Sequence, residues 1–289
     1  MKKLLILSGK GGTGKTTTAA AFIAFAKAKA FADCDVDAPN LHLISHVNGS
    51  CQKNDYYGSQ KAKIDKTKCT NCGICLNNCR FDAIRLIEDH YQVNEFACEG
   101  CGVCAATCPA NAAILEADIA GELLRYQGQQ VFSTATLKMG RGNSGKLVTE
   151  VKKALNDQAA KLAIIDGSPG IGCPVIASIS GVDLVLIVTE PSLSGISDLK
   201  RVWKTASNFG TQTAVCINKS DTCPENTEAI ITFCSMNQIP FVGCIPYDRH
   251  VSEAINLGYS IAETNCPACT ALKKVFHQTM SLIDTTKSN

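Results

Sequence analysis

The sequence predicts an α/β protein: a doubly wound, mostly parallel sheet covered by helices and interrupted by a small cysteine-rich insert. Three observations carry this expectation. The chain opens as strand, glycine-rich turn, helix, strand. Later short runs of Val, Ile and Leu are apolar on both faces, as strands buried between helical layers are. Eight of the 17 cysteines fall between Cys69 and Cys108. The expected domains are residues 1–60 with 116–289, and an insert at 61–115.

Residues 3–8 read as a buried strand that stops at a glycine loop, Thr16 to Ala30 as an alanine-rich helix, and Phe31-Ala32 as a second strand running into Asp33-Cys34-Asp35. Residues 48–68 are polar and lysine-rich, a lead into the insert. Beyond it, 117–126 and 130–138 suggest two strands, and a helix is expected near 146–160. Strands follow at 162–166, 183–188, 213–218 and 240–244, then closing helices. Because the α/β rhythm resumes after the cysteines, the insert interrupts one domain.

Composition narrows the function classes. At about 150 residues per domain, 289 residues allow two domains at most. A chain 45% hydrophobic and 19% charged is neither disordered nor membrane-embedded. Its net charge is +2, from 28 basic and 26 acidic residues, so no basic field for nucleic acid is expected. No apolar run of about 18 residues is present, and the apolar start at Leu4 ends at Ser8-Gly9 without a cleavage site. A cytoplasmic protein is expected, in which clustered thiols bind metal more readily than they pair with one another.

Gly9-Lys10-Gly11-Gly12-Thr13-Gly14-Lys15-Thr16 satisfies two patterns. As Gly-x-Gly-x-x-Gly it is a dinucleotide fingerprint, with Asp33 or Asp35 about 20 residues on. As Gly-x-x-x-x-Gly-Lys-Thr it is a phosphate-binding P-loop, and only this reading uses Lys15 and Thr16. Backbone N–H groups from Gly9, Gly11, Gly12, Thr13, Gly14 and on to Thr17 then face the phosphates. Lys15 neutralises them and the Thr16 hydroxyl ligates Mg²⁺. Asp166, ending the apolar strand at 162–166, supplies the second metal-side acid. Asn218 ends another strand, where it reads either as an adenine-edge contact or as a turn residue.

Cys69-x₂-Cys72-x₂-Cys75-x₃-Cys79 is followed 29 residues later by Cys98-x₂-Cys101-x₂-Cys104-x₃-Cys108-Pro109. Zinc favours spaced pairs, whereas three cysteines at two-residue gaps suit three irons of a [4Fe–4S] cube, with the fourth ligand taken from the other repeat. The crossed sets are Cys69, Cys72, Cys75 and Cys108 for one cluster, and Cys98, Cys101, Cys104 and Cys79 for the other. The insert carries six Lys/Arg and six Asp/Glu, so no acidic docking surface is expected.

Lys10 to Thr16 resembles the deviant P-loop of the MinD/ParA/nitrogenase-iron-protein class, and residues 61–115 resemble a bacterial two-cluster ferredoxin. The first resemblance implies an ATP-sandwiched dimer, homo- or heterodimeric, in which Lys10 reaches the partner's phosphates. It also implies Asp35 as the switch I aspartate acting on the attacking water, and Asp166 as the switch II aspartate. Only 17 residues separate Lys15 from Asp33, so the first helix or second strand is expected to be short.

The expected activity is Mg²⁺-dependent ATP hydrolysis with ADP as product. Its output reads first as gated electron transfer through the two clusters to a protein partner. The alternatives are assembly of a metal cofactor on a client and MinD-like positioning. Cys173 reads as a buried or redox-sensitive thiol, and Cys266-Pro267-Ala268-Cys269 as reduced surface thiols rather than a metal site shared with a partner chain. The C-terminal helix is expected to pack on the sheet rather than bind a membrane.

Overall fold

The computed structural model describes residues 1–155 and 160–285. The chain divides into two compact units, one comprising Met1–Lys53, Leu123–Thr136 and Ser144–Asn289, the other Asn54–Glu122 and Leu137–Asn143. In chain order, β1 (Lys2–Leu7), α1 (Lys15–Ala26) and β2 (Ala30–Asp33) are followed by β3 (Ser50–Tyr57). The cysteine-rich stretch holds β4 (Lys61–Ile64), α2 (Ile74–Asn77), β5 (Ile84–Ile87), β6 (His90–Val93), α3 (Val103–Ala106) and β7 (Ala113–Glu116). The chain returns through β8 (Ile119–Gln127), β9 (Val131–Leu137), α4 (Ser144–Lys153), β10 (Leu162–Asp166) and α5 (Cys173–Ile179). It closes with β11 (Leu184–Thr189), α6 (Leu193–Ser207), β12 (Gln212–Asn218), α7 (Pro224–Met236), β13 (Phe241–Ile245), α8 (Arg249–Asn256) and α9 (Pro267–Thr285).

The large sheet runs β13-β12-β11-β1-β10-β2-β9-β8-β3. β1 lies between β10 and β11 and is parallel to both, with Leu4 opposite Ile164 on one side and Leu184 on the other. The chain leaves β1 toward β2 and later crosses back from β10 to β11, so the order reverses around β1. Ligands of open α/β sheets bind at the carboxyl edge of such a reversal. Register does more: Asp166 faces Ile6 on β1 and Asp33 on β2, placing two acids side by side at that edge.

Leu4, Ile6, Phe31, Ile164, Leu184 and Leu186 are fully buried under α1 and α9. Phe276 of α9 meets Phe22 edge-on at 5.1 Å, and Phe31 stacks on Phe132 at 5.0 Å. The closing helix thus packs on the sheet, as expected, and no helix among the described residues is long and apolar enough to cross a membrane.

Three elements differ from the sequence reading. The first helix ends at Ala26, because Lys27 turns left-handed (φ 46°) and the Ala28 N–H donates back to Ile23. Residues 27–29 are needed to reverse the chain into β2, which has only four residues. The polar stretch near 48–68 contains β3 and β4; β3 ends the sheet order and exposes every residue but Tyr56, so it has no alternation to read. The helix expected at 146–160 spans Ser144–Lys153, and residues 156–159 lie outside the described residues.

The cysteine-rich unit carries a backbone repeat. β4 pairs antiparallel with β7, and β5 with β6. Positive φ recurs at matched places: Asn71 (56°) and Gly100 (69°), Gly73 (76°) and Gly102 (81°), Asp82 (49°) and Asn111 (50°). Each pair is 29 residues apart, the spacing of the cysteine motifs. The left-handed Gly73 and Gly102 start α2 and α3, turning Cys75 and Cys104 into a core shared with Ala62, Ile84 and Tyr91.

Candidate functional site

The glycine loop leaves β1 and enters α1 through Gly14, whose φ of 93° suits a residue without a side chain. A Cβ there would also sit 2.3 Å from Asn218 Nδ2. That nitrogen donates to the Thr13 carbonyl at 2.8 Å, so Asn218 braces the loop from the end of β12. The expected adenine contact is a separate role, which this hydrogen bond neither requires nor supplies.

Lys15 and Thr16 both reach Asp166. Lys15 Nζ lies 2.7 Å from Asp166 Oδ1, and Thr16 Oγ1 donates to Oδ2 at 2.7 Å. Burial works against the Lys15 charge, but Asp166, Asp33 and Asp35 outweigh it and raise its pKa. The ammonium is therefore fixed at the start of α1, where N–H groups also face an anion. A carboxylate beside a hydroxyl is an oxygen donor set suited to Mg²⁺.

The two acids after β2 have different tasks. Asp33 is fully buried; its Oδ1 accepts from Asp35 N, and its Oδ2 from Asn40 N and Leu41 N, at 2.9–3.0 Å. Burial, then repulsion from Asp166, pushes its carboxyl up to about 7 against these hydrogen bonds. Asp35 instead lines the open pocket with Gly11, Gly12, Lys15, Thr16 and Pro169. Its pKa is raised by burial, opposed by Lys15 and reinforced by Asp166. Asp33 thus ties down the loop that presents Asp35.

The segment after Asp166 is laced to both neighbours. Gly167 N donates to Ile6 O at 2.9 Å, Gly170 N to Ser8 O at 3.0 Å, and Ser168 Oγ to Cys34 O at 2.6 Å. One short strap thus joins the start of the glycine loop to the Asp33–Asp35 loop.

Glu190 was not legible as a site residue. Its Oε1 holds Lys10 Nζ at 2.6 Å and its Oε2 holds Lys219 Nζ at 3.3 Å. Lys10 also donates to Ser194 Oγ at 2.9 Å, and Lys219 to Gly12 O at 3.2 Å. Burial works against the Glu190 charge, but the two lysines prevail and lower its pKa. The available signal was position: an acid directly after β11, at the same sheet edge as Asp166.

The eight clustered cysteines line two separate cavities. One is walled by Cys69, Cys72, Cys75 and Cys108, the other by Cys79, Cys98, Cys101 and Cys104. Ala112 N donates to Cys108 Sγ at 3.2 Å and Ala62 N to Cys98 Sγ at 3.4 Å. The Ala113 N–H, opposed by burial and aided by the N–H groups of Ala112, Ala110 and Asn111, lowers the Cys108 pKa. Among the described residues, no three His, Cys, Asp or Glu side chains converge closely enough to hold a single metal ion.

Two other thiol readings are corrected. Cys173 is exposed because it opens α5 at the surface, which removes the buried alternative and leaves the redox-sensitive one. Cys266 and Cys269 are buried, not at the surface, because they start α9 beneath the sheet edge.

Comparison with known proteins places these features in context. The CobQ/CobB/MinD/ParA nucleotide binding domain matches residues 4–261. The uncharacterized protein MJ0578 of Methanocaldococcus jannaschii is 31% identical, covering 97% of each chain. The uncharacterized ATP-binding protein MJ0547 of the same organism is 27% identical, over 94% of this chain and 85% of its own. The fold is similar to the cell division ATPase MinD of Pyrococcus furiosus, with a TM-score of 0.58, 18% identity, and coverage of 97% of this chain and 99% of that one. MinD of Pyrococcus horikoshii, solved with Mg-ADP, has the same TM-score and identity and covers 97% and 96%.

Proposed function

The chain belongs to the CobQ/CobB/MinD/ParA nucleotide binding domain family, and on that premise we propose that it is a Mg-ATP-dependent switch of the MinD/ParA kind. The observation that carries this reading is the Lys15–Asp166–Thr16 constellation at the mouth of the glycine loop. Lys15 meets the β- and γ-phosphates, and backbone N–H groups of the loop orient them. Thr16 and Asp166 are the residues that hold Mg²⁺, which supplies charge neutralisation at the phosphates. Asp35, kept in the pocket by the Asp33-anchored loop, orients the attacking water. Lys10, held in this chain by Glu190, is the residue that crosses to a second copy on ATP binding.

The test is Mg-ATP binding and phosphate release by wild type and Lys15→Ala, with sedimentation in ATP and in ADP for wild type and Lys10→Ala. Binding abolished by Lys15→Ala, and ATP-dependent dimers abolished by Lys10→Ala with monomer binding spared, support the reading. Wild-type protein that ignores adenine nucleotides overturns it. A MinD-like positional output agrees best with the fold neighbours.

A second reading is favoured by the two cavities. We infer that each holds one [4Fe–4S] cluster on the crossed ligand sets, forming an inserted two-cluster unit. Four thiolates bound to four different irons stand further apart than ligands of one ion, which agrees with cavities that form no single-ion site. Such clusters supply one-electron transfer, and N–H donors to the ligating sulfurs tune their potential. Cluster assembly on a client and electron delivery to a partner are then nucleotide-controlled outputs. Anaerobic iron and sulfide analysis, with EPR of reduced protein in both nucleotide states, tests this. About eight irons per chain are expected, and about four or fewer overturns it.

A further inference from the structure

The C-terminal cysteine pair is used by neither reading, and it lies beyond residue 261, where the family match ends. Cys266 directly precedes the 19-residue α9, whose first residues are Pro267, Ala268 and Cys269. Pro267 suits the first helical position because it has no N–H to satisfy. The Cys269 N–H donates to Cys266 Sγ at 3.4 Å, so the thiol caps the helix and the two cysteines are held together across its first turn. Cys266 is 6% exposed and Cys269 2%. Cys266 lines an open groove with Cys244, Asn265, Thr270 and Lys274, whereas Cys269 does not line it. Burial pushes the Cys269 thiol up, Lys273 opposes this, and Cys266 adds to the rise, so the two sulfurs are electrostatic neighbours.

The pair is wired to the glycine-loop pocket. Cys266 Sγ lies 3.4 Å from Thr264 Oγ1, and Asp248 Oδ2 accepts from Ala268 N, between the two cysteines, at 3.2 Å. Its Oδ1 caps α8 through His250 N at 3.0 Å. The same helix carries Ile255, one wall of the pocket.

We propose that Cys266 and Cys269 form a thiol–disulfide exchange site for a low-molecular-weight disulfide, and that its state reaches the pocket through Asp248 and α8. The second half rests on the nucleotide reading of the glycine loop. Cys266 Sγ, on the groove side, attacks one sulfur of the small disulfide and releases one thiol, leaving a mixed disulfide. Cys269 Sγ then attacks Cys266 Sγ and releases the second thiol. Two protein S–H bonds are replaced by one S–S bond, and the two protons and two electrons leave on two small thiols. Closure draws the two sulfurs together across the turn that holds Ala268, whose N–H donates to the Asp248 carboxylate that also caps α8.

The test treats the anaerobic full-length protein with oxidised glutathione, alkylates remaining thiols after acid denaturation, and maps peptides by mass. An intramolecular Cys266–Cys269 disulfide that dithiothreitol reverses is expected. Cys269→Ser should accumulate glutathione on Cys266, while Cys266→Ser, which keeps a capping hydroxyl, should accumulate none on Cys269. Mg-ATP affinity should differ at least about fivefold between the dithiol and disulfide forms. Cys266 and Cys269 both still alkylatable in a protein whose melting curve shows it folded, or a Cys244–Cys266 link instead, would overturn the site. A disulfide with unchanged Mg-ATP affinity overturns the coupling. Absence of nucleotide binding in both forms overturns the nucleotide reading and leaves the disulfide result intact.

Discussion

Asp33 shows how burial and charge divide the work of two neighbouring acids. Its folded carboxyl titrates near 7, raised from 3.8. Between those values the folded protein retains a proton that the unfolded chain has released, so this group makes stability fall as pH rises from about 4 to about 7. Urea melts at about pH 5 and about pH 8 should show a larger loss for wild type than for Asp33→Asn; equal losses would remove Asp33 as the cause. Lys15 is held in place by Asp166. Lys15→Ala should lower nucleotide affinity at least about tenfold by calorimetry, the scale of a charge-assisted hydrogen bond to phosphate. At Glu190 the sign is opposite. Glu190→Gln releases Lys10 and Lys219 from their carboxylate, so ATP-dependent dimers should form at lower protein concentration in sedimentation runs.

Among the elements, α5 follows the Asp166 strap and is held at its carboxyl end by one side chain. Lys152 Nζ donates to Ala177 O, Ser178 O and Ser180 O at 2.8, 2.6 and 2.5 Å. Its pKa is lowered to about 8 by burial, with Cys34 opposing and Lys3 adding to the fall. Lys152→Met keeps the stem but strands three carbonyls at a helix terminus, and should cost about 1–3 kcal/mol in urea melts. A loss near zero would mean that water replaces the ammonium. In the cysteine unit, the backbone φ repeats with the cysteine motifs, and each cavity draws three cysteines from one motif and one from the other. If each cavity holds a cluster as proposed, the double variant Cys69→Ser/Cys108→Ser should lose one and keep about four irons, whereas Cys69→Ser/Cys79→Ser should lose both. The reverse pattern would show that each motif serves its own cluster.

Across the whole molecule, the family domain and the cysteine-rich stretch share one chain, and the proposed functions require their states to be coupled. EPR spectra of the reduced protein should change between Mg-ATP and Mg-ADP; identical spectra, with identical transfer to an electron acceptor, would uncouple them. The α/β class, the Lys15–Thr16 loop and the pairing of four cysteines with four were legible in the sequence, because each depends on short-range spacing. Apolar runs fix strands, a glycine loop fixes a turn, and two-residue gaps fix which thiols share a curve of chain. The clamp of Glu190 on Lys10, the division between Asp33 and Asp35, and the burial of Cys266 and Cys269 were decided only by tertiary structure. Each depends on strand register or helix packing between segments far apart in the chain, and an isolated residue carries no mark of the neighbour that folding brings to it.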